Sequence, residues 1–173
     1  MFFKNDIVRY GAHGVCKIAD IAEKNFNGVP VEYYVLKPIY NDTSTIYVPV
    51  QNQSLTDKMH KVLSAEEIRA LIQAMPYEES MWIDDEEERK RRYQEILVDG
   101  DRVEMVRMIK ALYLHQREQQ AKGRKLHMAD DRFFKEAERM LYEEFALVLQ
   151  MKKEEVLPFI LEQLQTGKQK NCG

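Results

Sequence analysis

Thr45-Ile46-Tyr47-Val48-Pro49-Val50 is the stretch that decides the fold. Its β-branched and aromatic residues favour a pleated strand, and Pro49 has no N–H to give to a ladder, so the segment belongs at the edge of a sheet. Two earlier stretches share the habit: Asp6-Ile7-Val8-Arg9-Tyr10-Gly11-Ala12-His13-Gly14-Val15-Cys16-Lys17-Ile18 and Tyr33-Tyr34-Val35-Leu36. Gly11, Gly14, Asn27-Gly28 and Asn41-Asp42 supply turn chemistry between them, and Asn27-Gly28 reads as a hairpin tip because both residues tolerate positive φ. The pattern predicts four or five short strands. So small a sheet buries a core only by curling on itself or leaning on a neighbour, which predicts a small half-open β barrel over residues 1–60.

Beyond Pro49 the apolar period becomes helical. Ser64 and Glu67 make a capping box, with Ile68, Leu71, Ile72 and Met75 on one face before Pro76, which predicts a helix over 64–75. An acidic linker over 76–84 follows. Asp84 or Asp85 then starts a helix over about 85–98, ended by Asp99-Gly100, and Asp101 with Glu104 caps the next over 101–121. Phe133, Phe134, Ala137, Met140, Leu141, Phe145 and Val148 mark a helix over 130–151. Val156, Phe159, Ile160 and Leu164 mark a last one over 154–165, with Thr166-Gly167 as its stop. The expected class is α+β in two domains, a β-rich module followed by an all-α domain over 61–173.

Composition narrows the function classes. An apolar fraction of 45% with 32% charged residues fits a folded chain, and no window nears the about 18 continuous apolar residues of a membrane span. No basic-then-apolar leader opens the sequence, so a cytoplasmic location is expected. Cys16 and Cys172 cannot make a disulfide framework, in keeping with a reducing compartment. The net charge of −3 hides an asymmetry: residues 76–88 carry seven acids and no base, whereas 102–127 carry seven bases against two acids. A local basic face on the helical part can meet phosphates even though the whole chain is acidic.

The search for reactive chemistry is mostly negative. His13 and Cys16 have a metal-like spacing, but a zinc site needs about four ligands and His60, His115 and His127 are scattered. Gly11-Ala12-His13-Gly14 lacks the Lys-Ser/Thr of a phosphate loop and joins strands. The acids at 84–88 read as solvated carboxylates in a helix's first turn. No nucleophile stands with a base, no cofactor is implied, and an enzyme is the weaker class.

Binding signals are better. An edge strand over Thr45–Val50 can accept a strand from a partner, with Ile46 and Val48 offering side-chain specificity; the alternative is an edge merely blunted by Pro49. Trp82, the only tryptophan, lies in the acidic linker. Two readings stay open for it, a seal between domains and a contact to a base or partner. Arg89-Lys90-Arg91-Arg92 is either a basic contact surface or a solvated helix face with i,i+4 pairs to Asp85, Glu86, Glu87 and Glu88.

Several motifs in fixed order carry a resemblance. Asp6-x-Val8-x-Tyr10-x-x-His13-Gly14-Val15, then Gly28 before Tyr33-Tyr34-Val35-Leu36, then Thr45-Ile46-x-Val48-Pro49-Val50-x-Asn52 resembles the RNA-polymerase-interacting module of the CarD/CdnL family, a relative of which occurs in the transcription-repair coupling factor. In the helical half, Arg91-Arg92-Tyr93, Leu97, Gly100-Asp101 and Ala137-x-x-Met140-Leu141-x-x-Glu144-Phe145-Ala146-Leu147 are similar to that family. The likeness spans residues 1–150.

The resemblance implies a bacterial transcription regulator without enzymatic activity, in which a Tudor-like or SH3-like module adds its edge to the lobe of the polymerase β subunit. The helical domain reaches promoter DNA at the upstream edge of the melted region and helps keep the open complex from closing. Carried over by position, the polymerase-binding residues are Lys24, Thr45, Ile46, Tyr47, Val48 and Pro49. Tyr47 stands where other members often place an arginine, and a tyrosine cannot make that bidentate ion pair. The DNA-binding candidates are Trp82, Arg89, Arg91, Arg92, Lys122, Arg124, Lys125 and Arg132, the cations holding phosphates without reading sequence. Where the family places a wedging tryptophan this chain has Arg89, with Trp82 seven residues earlier, and a second family base is replaced by Asp131. The implied partners are therefore the polymerase β subunit and, through weak backbone contacts, promoter DNA. An adaptor that binds polymerase without DNA is the alternative. A monomer is expected, with strand pairing or domain exchange through the 76–84 linker conceivable.

Overall fold

The computed structural model describes residues 1–41 and 44–171, with side chains through residue 164. Asp42, half of one expected turn, and Cys172 lie outside the described residues. The chain divides into two compact units, Met1–Val62 and Leu63–Gly173.

The first unit is an antiparallel sheet of β1 (Ile7–Tyr10), β2 (Val15–Asn25), β3 (Pro30–Pro38), β4 (Ile46–Pro49) and β5 (Met59–Lys61). Its strand order is β4-β3-β2-β1-β5, so β4 and β5 are the two ends and the sheet stays open. The half-open form expected from the sequence is the one this strand order gives. A 3₁₀ turn over Gly11–His13 joins β1 to β2, and Gly14 leaves it at φ 76°, ψ −149°, a conformation that needs a residue without Cβ. Asn27-Gly28 sits in the β2–β3 hairpin tip, where Gly28 has φ 82°. Pairing shifts register between Ile18 and Asp20, leaving Ala19 as a bulge that bends the long β2.

Strand alternation sorts the two faces. Val8, Cys16, Ile18, Tyr34, Leu36, Val48 and Met59 form the core of this unit, and Ile46, Val50 and Leu55 pack against it. Residues between them, such as Tyr33, Lys37 and Tyr47, point the other way. The buried Cys16 turns its thiol toward the Gly14 carbonyl at 3.7 Å, while His13 is exposed and stacks on Tyr10. A one-turn helix, α1 (Gln53–Thr56), and β5 complete the unit; neither is legible in the periodicity.

The second unit holds α2 (Ala65–Ala74), α3 (Glu86–Asp99), α4 (Arg102–Ala121), α5 (Met128–Leu149) and α6 (Lys153–Asn171). The capping box forms, with Glu67 N–H donating to Ser64 at 3.1 Å and Ser64 N–H to Glu67 at 2.8 Å. Asp85 and Asp101 accept from Glu88 N–H and Glu104 N–H at 2.8 and 3.1 Å, starting α3 and α4. Gly100 takes the left-handed conformation between those helices, φ 75°. Ile68, Ile72, Tyr93, Ile96, Met105, Met108, Leu112, Met140 and Phe145 are fully buried in one core. Two expectations are corrected. The helix expected from residue 130 begins at Met128, and α6 runs through Thr166 and Gly167 because one glycine costs a helix only about 1 kcal/mol. No described helix is long and apolar enough to cross a membrane.

Candidate docking edge and basic surface

The edge strand comes first because the fold leaves it open. In β4 the pairs Leu36↔Ile46, Val35↔Tyr47, Tyr34↔Val48 and Tyr33↔Pro49 tie it to β3, and no described strand pairs with its other side. Ile46 and Val48 turn into the core, Val48 completely. Tyr47 is 41% exposed on the outer face, beside exposed Phe26 from the hairpin tip. Thr45 precedes the strand and accepts a hydrogen bond from the Lys37 ammonium. Lys24 is exposed near the outer end of β2. Of the six residues named from sequence for this contact, Ile46 and Val48 therefore fix the strand, and Thr45, Tyr47 and Lys24 offer side chains. Pro49 ends the strand.

In the helical unit the named cations divide sharply. Arg89 is buried, and its guanidinium makes a two-pronged ion pair with Asp130 of α5, Nε to Oδ1 at 2.9 Å and Nη2 to Oδ2 at 3.0 Å. Its Nη1 donates to the Ile83 carbonyl at 2.9 Å. All three guanidinium nitrogens are engaged by protein, so Arg89 is a structural residue and leaves the set of phosphate contacts. Trp82 is half-buried in the same place: the Arg89 guanidinium lies 4.4 Å from its ring centroid, His115 of α4 stacks on it at 3.9 Å, and its Nε1 donates to Asp84 at 3.2 Å. The indole thus packs within the helical unit. Cation–π contact and stacking hold it there.

The stretch read as a linker over 76–84 is likewise fastened down. Lys110 donates to the carbonyls of Met75, Pro76 and Glu78 at 3.1, 3.2 and 2.6 Å, and Arg107 pairs with the Glu78 carboxylate at 3.1 Å. The Met81 N–H donates to the Arg107 carbonyl at 3.2 Å, and the Tyr93 hydroxyl donates to the Met81 carbonyl at 2.6 Å. Burial pushes that phenol up to about 12, so it remains a donor at any ordinary pH. A segment held this way, inside one unit, is no hinge for domain exchange.

Arg91 and Arg92 use Glu95, at 2.7 and 3.4 Å, and Arg92 also reaches Glu104 of α4. Lys90 is the residue that pairs back into the acidic first turn, with Glu86 at 3.1 Å and Glu87 at 3.5 Å; the hydrogen bond from Lys90 holds the Glu86 carboxyl below its ordinary range. Lys90, Arg91 and Arg132 line a shallow cleft of about 650 Å³ between α3 and the start of α5, together with Glu87 and Met128. Arg132 is exposed, its guanidinium over the Phe133 ring at 5.3 Å. Lys122, Arg124 and Lys125 are exposed in the turn from α4 to α5. No ion pair engages these three or Arg132 among the described residues, which makes them the available cations of the set named from sequence.

A second cavity of about 630 Å³ lies among α4, α5 and α6, lined by apolar residues such as Val106, Ile109, Phe145 and Ile160 with one carboxylate, Glu138, and no histidine. Among the described residues no group of three or more His, Cys, Asp or Glu side chains is placed to hold a metal ion.

Comparison with known families decides where the chain belongs. The family model described as the CarD-like/TRCF RID domain matches residues 2–63, and that of the CarD C-terminal domain matches residues 67–160. The chain belongs to the CarD-like family. No curated protein matches it. The CarD-like family is one of transcription factors that interact with RNA polymerase, and the RID match covers all five strands, β4 included.

Most of the helical-half residues that carry the CarD-like resemblance lie in the interior. Tyr93, Leu97, Gly100, Ala137, Met140, Leu141, Glu144, Phe145 and Ala146 are all buried. Glu144 accepts both prongs of Arg102 from α4, at 3.0 and 2.6 Å, and the Leu63 N–H at 3.0 Å. Sequence reasoning missed this pair and Arg89–Asp130. Their separations, 42 and 41 residues, offer no local period to read.

Proposed function

We propose that this CarD-like protein is a cytoplasmic bacterial transcription regulator that docks on the RNA polymerase β subunit through the β4 edge and steadies the melted promoter with its helical unit. The observation that carries the reading is the unpaired outer side of β4 in a domain of polymerase-interacting type. A strand added there gains backbone hydrogen bonds from a template already held flat by β3, while exposed side chains beside it supply selectivity. Lys122, Arg124, Lys125 and Arg132, with Arg91 at the cleft, then meet DNA phosphates. Such contacts position without reading bases. Glu87 and the other acids at the start of α3 repel phosphates, so DNA approaches from the α4–α5 turn.

The family wedge has no counterpart at Arg89, and Trp82 is engaged with His115 and Arg89, so the protein acts on DNA mainly through charge. The acidic first turn of α3 favours a second reading, an adaptor that binds polymerase alone. Two measurements test them, and the second separates them. Pull-down with purified polymerase, read by recovery of the β subunit, tests the docking, and its absence sinks both readings. Titration of a forked promoter fragment at increasing salt tests the DNA contact: affinity falling steeply with salt supports it, and no binding at low salt leaves the adaptor.

A further inference from the structure

The outer face of the sheet beside β4 carries a cluster that backbone docking does not explain. Phe26 at the hairpin tip, Tyr33 on β3 and Tyr47 on β4 meet edge to face in every pairing. Centroids are 5.5 Å apart for Phe26–Tyr33, 5.4 Å for Phe26–Tyr47 and 6.1 Å for Tyr33–Tyr47, with interplanar angles of 75°, 68° and 82°. Rings in mutual contact leave no room for a cation between them, so they form a solid knob rather than a cage. The knob stands in solvent, with Phe26 57% exposed.

Strand register places lysines at both ends of it. Lys17 and Lys37 lie directly opposite each other on β2 and β3, on the face that carries Tyr33 and Tyr47, and Lys24 lies opposite Val31 toward the tip. Like charges facing across a ladder cost stability, and no carboxylate pairs with Lys17, Lys24 or Lys37 among the described residues. The acid of this face, Asp20, is turned to Lys4 at 4.0 Å.

We infer that this face is the energetic centre of the polymerase contact, and that it receives an extended acidic segment whose apolar side chain lands on the Phe26–Tyr33–Tyr47 knob. The inference rests on the β4 docking proposed above. A strand added to β4 projects every second side chain onto this face, the nearest beside Tyr47. Aromatic anchors carry most interface energy, and a carboxylate placed beside Thr45 comes within reach of Lys37 on β3, while Lys17 and Lys24 on β2 add longer-range attraction. A second copy of this chain is a poor occupant, because it brings lysines against lysines. Single-stranded nucleic acid needs open ring faces for stacking, and here each ring is engaged by its neighbours.

The test uses the full chain, titrated with purified core RNA polymerase and, in parallel, with a single-stranded oligonucleotide. The variants are Phe26→Ala, Tyr47→Ala, Tyr47→Phe and the double Lys24→Glu/Lys37→Glu. Phe26 lies in a turn outside the core, so F26A gives up only its ring contacts with Tyr33 and Tyr47, and cooperative melting slightly below the wild-type temperature reports that the fold is intact. F26A and Y47A are expected to weaken polymerase binding about tenfold or more each, and Y47F to retain it. The double reversal slows association and flattens its salt dependence. Wild-type binding with every variant within twofold of it overturns this inference and leaves edge docking standing. No wild-type binding to polymerase overturns both. Oligonucleotide binding abolished in the same variants, with polymerase binding unchanged, overturns the acidic segment in favour of nucleic acid.

Discussion

The outer face of the sheet and the start of α3 treat their aromatic and cationic residues in opposite ways. In the sheet, Tyr47, Phe26, Lys24 and Lys37 stand outside the core, and none is needed to close it. In the helical unit Arg89, Arg102 and Trp82 are drawn inward, paired with Asp130, Glu144 and His115. The α4–α5 turn and Arg132 keep their cations at the surface. A small open sheet has one side to spare for partners, whereas a bundle of five helices uses long polar side chains to join elements far apart in sequence. The same residue type is therefore left at the surface in one region and built into the interior in the other.

The contrast can be broken most easily at Arg89. Arg89→Ala leaves the Asp130 carboxylate buried without its partner, and it is expected to destabilise the helical unit by about 3–5 kcal/mol, read by chemical denaturation. A destabilisation below about 1 kcal/mol would make Arg89 a binding candidate again. Next in size is the triple reversal Lys122→Glu/Arg124→Glu/Lys125→Glu. It is expected to lower affinity for a forked promoter fragment by about a hundredfold at low salt and to reduce the salt slope by about one for each phosphate no longer held, with the melting temperature unchanged.

Tyr93→Phe is smaller, about 1 kcal/mol, because it removes one hydrogen bond to the Met81 carbonyl. It carries a pH signature as well. Burial raises this phenol in the folded state to about 12, while the unfolded chain releases the proton near about 10. The raised value favours the folded state fully below about pH 10, and that stability is lost as pH rises from about 10 to about 12. The phenylalanine variant flattens that decline in an alkaline titration of stability, and half-buried Tyr142 and Tyr10, also raised by burial, contribute to what remains. Of similar size, Ser64→Ala removes one half of the capping box at α2 and costs about 1 kcal/mol in the same denaturation measurement.

Much of this was legible in the sequence, for identifiable reasons. The edge placement of β4 followed from Pro49 and β-branched alternation, and the helix starts followed from Ser64, Asp85 and Asp101, because caps are local. The short α1 and β5 were not, since four and three residues give no period. The candidate site was half legible. Tyr47 and Lys24 could be named from position in the chain, but the contact of Tyr47 with Phe26 and Tyr33, and the placing of Lys24 on the face of Lys17 and Lys37 across the bulge at Ala19, depend on strand register. Arg89 misled in the opposite direction: it sits in a basic run, and only a partner 41 residues away turns it inward.

Hydrogen exchange of the full chain, with and without purified RNA polymerase, tests the docking most directly, because a strand added to the edge must pair amides that the fold leaves open. New protection of the Tyr47 amide, the N–H of β4 that alternation turns away from β3, is the predicted result, with the helical unit unchanged until promoter DNA is added. Protection absent from β4, or confined to the helical unit with polymerase alone, would contradict edge docking.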